Sequence, residues 1–280
     1  MKSVVVTGAS TGIGRAVVAE LVRTGFHVWG TVRRDADAQA LTAAHGDRVS
    51  PLRMDVTDTG SVRAAGEAVR AAGPLHGLVN NAGVALPGPL EYLPVDLFRR
   101  QIDVNLVGQL AVTQAMLPAL RQAQESGGDA RIVMIGSIGG RIAGPMLGPY
   151  HAAKFGLVGL TGALRAELAP SGIRVLLIEP GAIATPIWSR GVTSSEELVD
   201  LLPPEATERY GAQMAAVRKN ALRSAEGGLA PERAARVVVK ALTDANPRPR
   251  QLIGRDARIA AALVRLLPHR AIYRFTAARA

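Results

Sequence analysis

Short aliphatic runs alternate with helical patterns along most of the chain, and this alternation restricts the fold more than any other feature. The runs fall at residues 4–6, 26–32, 49–54, 75–79, 131–135 and 173–178. They are continuous rather than alternating in polarity, which is what strands buried on both faces require. Parallel neighbours cannot be joined by a tight turn; they need a crossover, usually a helix. The intervening segments supply it. Ile13, Val17, Val18, Leu21 and Val22 share one helical face that Gly25 ends. Asp58 or Thr59 can cap a helix running to Arg70, stopped by Gly73-Pro74. Longer helical patterns follow Pro94 as far as Gln124, and Pro149 as far as Ala169. The expected fold is therefore α/β, a doubly wound parallel sheet with helices on both faces.

The 280 residues, 48% of them hydrophobic, can bury a sizeable core. No linker or low-complexity stretch divides them, so a single domain over 1–280 is expected, with an insertion at 186–230 and an extension at 247–280. Within the insertion, Ser194-Ser195-Glu196-Glu197 reads as a capping box that opens a helix. One more helix follows Pro231, then a short strand near 251–254.

Charge and composition exclude several roles. The net charge is +10, but residues 246–280 carry eight arginines and one acid, which is +7 of it. Aromatic residues make up only 4% of the chain, too few for a surface that stacks single-stranded bases, so no nucleic-acid partner is expected. The absence of cysteine removes disulfides, thiolate metal sites and a cysteine nucleophile. The histidines at 27, 45, 76, 151 and 269 show no ligand spacing, so no metal is expected. The start, MKSVVVTGAS, has too short an apolar stretch for a signal peptide, and no run approaches a membrane span. A cytoplasmic location is the default expectation.

The first strand run ends in Thr7-Gly8-Ala9-Ser10-Thr11-Gly12-Ile13-Gly14, which leads straight into the first helix. Free N–H groups and a partial positive charge at a helix start suit a phosphate, and glycines let a pyrophosphate approach closely. The alternative is an ordinary tight turn. After the second strand run come Val32, Arg33 and Arg34. A carboxylate in that place would suit the ribose hydroxyls of NAD; an arginine suits a 2′-phosphate, so NADP(H) is expected over NAD(H). A solvated basic pair is the plainer alternative. Asp55, after the third run, could accept from an adenine amino group or merely cap its turn, and the residues do not choose.

Tyr150 and Lys154 are four apart, on one face of a helix. A nearby ammonium lowers a phenol's pKa and makes it a usable acid–base group. Ser137, 13 residues before Tyr150 at a strand end, and Asn105, inside the long helical region, complete a candidate constellation.

In these motifs, taken in order, the chain resembles the short-chain dehydrogenase/reductase family in its single-domain, Rossmann-like form. The matching residues are the loop Gly8–Gly14, Asp55-Val56, Asn80-Asn81-Ala82-Gly83, Asn105, Ser137, Tyr150, Lys154, and Pro180-Gly181 with Thr185-Pro186. The resemblance implies an NADP(H)-dependent oxidoreductase in which Tyr150 exchanges a proton with the substrate oxygen. Lys154 would lower the phenol's pKa and bind the nicotinamide ribose, Ser137 would polarise the carbonyl, and Asn105 would hold a relay water. Gly8, Ser10, Thr11, Gly12, Ile13, Gly14, Arg33, Asp55, Val56, Asn81, Ala82 and Gly83 would bind the adenosine and phosphate half. Pro180, Gly181, Ile183 and Thr185 would approach the nicotinamide, and 186–230 would form a substrate lid. It also implies a homodimer or homotetramer. A non-catalytic dinucleotide-binding regulator, or an epimerase or dehydratase relative, are the alternatives.

The segment 139–149 and the lid are rich in Ile, Leu, Met and Trp with few charges, so an apolar ketone, aldehyde or alcohol is the expected substrate. The stretch 247–268 resembles longer family members that act on steroids and retinoids. Residues 256–267 read as a helix with Ile259, Leu263, Leu266 and Leu267 on one face, ended by Pro268. That face is expected to pack on the protein or a partner subunit. Peripheral contact with an anionic membrane, helped by Arg270, Tyr273, Arg274 and Phe275, is the less favoured alternative.

Overall fold

The computed structural model describes residues 1–277; residues 278–280 and the side chains of Phe275 and Ala277 lie outside it. Its strands are β1 (Ser3–Val6), β2 (His27–Val32), β3 (Val49–Arg53), β4 (Gly77–Asn80), β5 (Arg131–Ile135), β6 (Arg174–Pro180) and β7 (Arg250–Ile253). They form one parallel sheet in the order β3-β2-β1-β4-β5-β6-β7. The chain thus builds outward from β1 to one edge, returns to the middle at β4, and builds to the other edge. Between β1 and β4 the connections diverge, which opens a crevice at the carboxyl ends of the strands.

The helices are α1 (Gly12–Arg23), α2 (Asp35–His45), α3 (Thr59–Ala71), α4 (Val95–Ile102), α5 (Gly108–Glu125), α6 (Gly148–Leu168), α7 (Pro186–Val199), α8 (Pro204–Gly227), α9 (Pro231–Thr243), α10 (Arg255–Leu266) and α11 (His269–Ala277). On one face of the sheet, Val17, Val18 and Leu21 of α1 pack with Ala234, Val238 and Leu242 of α9 and Leu41 of α2. On the other, Val62 and Val69 of α3 meet Val112, Met116 and Leu120 of α5 and Leu157 and Leu164 of α6. The two-sided burial that the aliphatic runs required is this sandwich.

Several elements depart from the sequence reading. Helix α2 was not expected. Only Leu41 of it is buried, so it shows no apolar stripe; Ala-rich composition and Asp35 and Asp37 in its first turn favour it instead. The capping-box reading of Ser194–Glu197 fails: these residues lie inside α7, which starts after Thr185 with Pro186 in its first turn. The long helical stretch after Pro94 is not one helix, because a π turn at Asp103–Val107 separates α4 from α5. Asp58 does cap α3, its side chain accepting from the Gly60 N–H at 2.9 Å.

The extension forms two helices where one was expected. Ala257 and Ile272 are buried, but Ile259 and Leu266 of the face expected to pack are 59% and 77% exposed. A short flank of α10 packs against β7 and the turn at Ile138–Gly140. No helix among the described residues is long and apolar enough to cross a membrane.

Candidate active site

The loop after β1 and the segment after β4 face each other across the crevice, and threonine and asparagine side chains bind them together. The Thr7 hydroxyl accepts from the N–H groups of Asn81 and Ala82 at 2.8 and 2.9 Å. The Asn81 amide donates back to the Thr7 and Gly8 carbonyls at 2.9 and 3.3 Å. Gly8 and Gly12 have φ of 65° and 56°, a region L side chains avoid. A Cβ at Gly14 would collide with the Gly8 carbonyl oxygen, so loop and helix can close up only around glycine. Thr11, at the N-cap of α1, makes no side-chain cap bond, and the first turn holds no acid. The helix start is left with free N–H donors and unopposed positive polarity, which fits a phosphate group. Ser10, Thr11 and Ile13 lie along this cradle, half-buried.

At the end of β2, Val32 is buried and Arg33 and Arg34 are exposed. The two arginines differ. Arg34 holds Asp37 through paired bonds of 2.9 and 2.9 Å. Arg33 has only a loose approach to Asp55, 3.9 Å from its Oδ2, and its side chain is 66% exposed. Asp55 caps its own turn: Oδ1 accepts from the Thr57 N–H and hydroxyl at 2.9 and 2.7 Å. Burial works to raise this carboxyl, but the Thr57 bonds and the charges of Arg33 and Arg100 hold it below the ordinary range. Val56, next to it, is buried.

Tyr150 and Lys154 sit in the first turns of α6, beside the end of β5, where Ser137 begins a short 3-10 turn and accepts from the Gly139 N–H at 3.0 Å. Burial raises the Tyr150 phenol above its ordinary pKa, and a hydrogen bond with Ser137 offsets part of that. Lys154 is 5% exposed. Its ammonium donates to the Ile135 carbonyl at 2.8 Å and stands 5.7 Å from the centre of the Tyr150 ring. Burial pushes its pKa down to about 8. In this arrangement burial outweighs the Ser137 bond in setting the phenol.

Asn105 is fully buried in the π turn. Its amide is engaged on both sides with Val84, accepting from the N–H and donating to the carbonyl, each at 2.9 Å. Gln101 grips the same segment, donating to the Val84 carbonyl and accepting from the Leu86 N–H, each at 2.8 Å. His151 braces the opposite wall: Nε2 accepts from the Gly144 N–H at 3.1 Å and Nδ1 faces the Gly139 carbonyl at 2.9 Å. Leu86, Leu93, Met146, Val192 and Leu198 are buried. They belong to neither face of the sheet core and come from the β4–α4 connection (Leu86, Leu93), from the segment before α6 (Met146) and from α7 (Val192, Leu198).

Residues 2–195 match the family model described as short chain dehydrogenase. The chain belongs to the short-chain dehydrogenase family. Like its relatives it is an oxidoreductase acting on the CH–OH/C=O pair. An NADPH-dependent 3-dehydrocapnine reductase from Ornithobacterium rhinotracheale is 32% identical over 96% of this chain and 94% of its own length. Human retinol dehydrogenase 5 is 35% identical over 91% of this chain and 81% of its own. Among solved structures, a short chain dehydrogenase from Burkholderia cenocepacia J2315 in complex with NADP superposes with a TM-score of 0.74. It is 26% identical, with 99% of each chain covered.

Within this dehydrogenase framework one cluster carried no motif. Glu179, at the end of β6, has no solvent-exposed side chain. Arg141 binds it at 2.8 and 2.5 Å, and Arg250 at 2.8 and 2.6 Å. Burial alone would raise its carboxyl, but the two guanidinium groups outweigh that and hold it below the ordinary range. The only available signal was an acid placed inside an apolar strand run, and such an acid needs buried partners.

Proposed function

We propose that the protein is an NADP(H)-dependent carbonyl reductase or alcohol dehydrogenase, folded as one domain, that acts on a lipophilic substrate with Tyr150 as its general acid–base. The convergence of Tyr150, Ser137 and Lys154 beside the sheet crevice carries this reading. Bound at the glycine cradle, the dinucleotide supplies or takes up the hydride. Tyr150, whose phenol is held protonated at neutral pH, donates to the carbonyl oxygen in reduction and takes the proton back in oxidation. Ser137 orients that oxygen. Lys154, buried next to the phenol and donating to the Ile135 carbonyl, would hold the nicotinamide ribose. Asn105, whose amide already holds Val84, would help to place a relay water beside Lys154. The retinol dehydrogenase relative and the apolar side chains of the β4–α4 connection and α7 support a lipophilic substrate. Production of alcohol from a panel of apolar ketones with NADPH tests the reading, and no turnover across the panel would sink it.

Arg33 carries the cofactor preference in this reading, because Arg34 is already held by Asp37. A charge-assisted hydrogen bond is worth roughly 1.5–3 kcal/mol, about 10- to 150-fold in affinity. Arg33→Ala is expected to erase most of the preference for NADPH over NADH, and Val32→Asp to turn it toward NADH. Equal kcat/KM for the two cofactors in the unaltered protein would refute the assignment.

Lys154 gives a pH signature. Its ammonium form predominates below about 8. A bound ribose that accepts from the ammonium raises this pKa in the complex. NADPH affinity is then highest below that value and falls as pH rises through it. Titration of NADPH binding between pH 7 and 9.5 should show this decline, and Lys154→Met should flatten it. A decline of equal size in the variant would assign the step elsewhere.

A further inference from the structure

The connection after β6, Pro180–Thr185, is held from the C-terminal side of the chain. The Gly181 N–H donates to the Ile253 carbonyl at 2.8 Å. The Ala182 N–H donates to the Asp256 carboxylate at 2.8 Å. The Ala184 N–H donates to the Leu229 carbonyl at 2.9 Å, and the Ala182 carbonyl accepts from the Leu229 N–H at 2.9 Å. Of the four N–H groups from 181 to 184, three are engaged, and that of Ile183 has no acceptor among the described residues. Every grip but one main-chain strip comes from β7 and the first turn of α10.

Asp256 does more here than begin a helix. It is the second residue of α10, yet its Oδ2 reaches across to Ala182 instead of capping its own helix. A side chain at either of two glycines would block it: a Cβ at Gly181 or at Gly254 would collide with the carboxylate. Gly254 has φ of 105°, so the chain enters α10 through a conformation that L side chains rarely adopt. Six residues earlier, Arg250 anchors the same segment to buried Glu179. The geometry thus fixes where the carboxylate stands before it meets the turn.

We propose that Asp256 is a positioning residue for the nicotinamide end of the site. By holding the Ala182 N–H it sets the backbone of the 180–185 turn and presents the Ile183 N–H, so the C-terminal segment 250–256 is part of the cofactor site. This rests on the reading above that the turn approaches the nicotinamide. The residue touches no reacting atom; it acts through the turn.

Asp256→Ala and Asp256→Asn test it by two readouts. The first is amide hydrogen exchange over residues 180–185 and, as an internal control, over the glycine loop 8–14. The second is affinity for NADPH and for 2′,5′-ADP, which lacks the nicotinamide. In Asp256→Ala, exchange at 180–185 should quicken about tenfold with the glycine loop unchanged. NADPH should bind about tenfold more weakly, the size of one lost charge-assisted hydrogen bond, with 2′,5′-ADP unaffected. Asp256→Asn keeps an acceptor oxygen and should recover most of both losses. Unchanged exchange at 180–185, or equal weakening of both ligands, would overturn the proposal. If the unaltered protein bound NADPH no better than 2′,5′-ADP, the nicotinamide reading of the turn would fall instead, while the exchange data would still show whether Asp256 holds it.

Discussion

Replacing Tyr150 by phenylalanine is expected to lower turnover by about 10²–10⁴-fold, the usual contribution of a positioned proton donor, and to leave the Kd for NADPH within about twofold. The substitution removes one oxygen from a side chain at the start of α6 and keeps the ring against which Lys154 and His151 stand. Packing should therefore survive, and thermal unfolding should change little. Lys154→Ala would differ in kind, lowering both rate and cofactor affinity, because the ammonium is assigned to both. A Tyr150→Phe protein that kept more than a tenth of the unaltered rate would remove the phenol from the mechanism.

The second large effect is on stability. Glu179→Ala removes the carboxylate that Arg141 and Arg250 share, leaving two cations facing each other at the end of β6. Breaking a buried ion pair from one side costs about 3–5 kcal/mol. The lower end applies, since the two arginine side chains retain 26% and 38% of their exposure and can be partly hydrated. A loss of about 3 kcal/mol corresponds to a Tm lower by roughly 5 °C in a chain of this size. The pH dependence has a definite sign. The folded pKa of Glu179 lies below its ordinary value, so this stabilisation is present above the ordinary carboxylate range and is lost as pH falls through the folded pKa. Calorimetry at neutral pH decides the matter; a Tm within 2 °C of the unaltered protein would mean that the cluster contributes little.

The sheet and the crevice were legible because each rests on a local pattern. Continuous aliphatic runs such as 4–6 and 131–135 can be satisfied only by burial on both faces, and the glycines at 8, 12 and 14 announce a turn that side chains would block. The candidate site was legible for the same reason: Tyr150 and Lys154 are one helical turn apart, and Ser137 follows closely on a strand. What escaped is non-local or weakly patterned. Helix α2 buries only Leu41, so no periodicity betrayed it. The capping-box letters at 194–197 matched by chance within a helix whose true start, Thr185-Pro186, is a different signal. The exposure of Ile259 and Leu266 shows that an apolar face in a sequence does not say whether the chain supplies it a partner. Glu179 was invisible as a site because its partners lie 38 residues before it and 71 after it.

Those separations bear on the order in which the molecule can be completed during synthesis. Asp256 lies 74 residues beyond Ala182, and Arg250 is the first residue of the last strand. A nascent chain released as far as residue 249 already displays the glycine loop, Ser137, Tyr150 and Lys154. It does not yet contain Ile253 and Asp256, which hold Gly181 and Ala182 of the 180–185 turn, or Arg250, the second partner of Glu179. Long-range contacts form after local ones because the loop between them must first be closed. The turn beside the candidate active site is thus completed only after residues 250–256 have been synthesised and have folded back onto it.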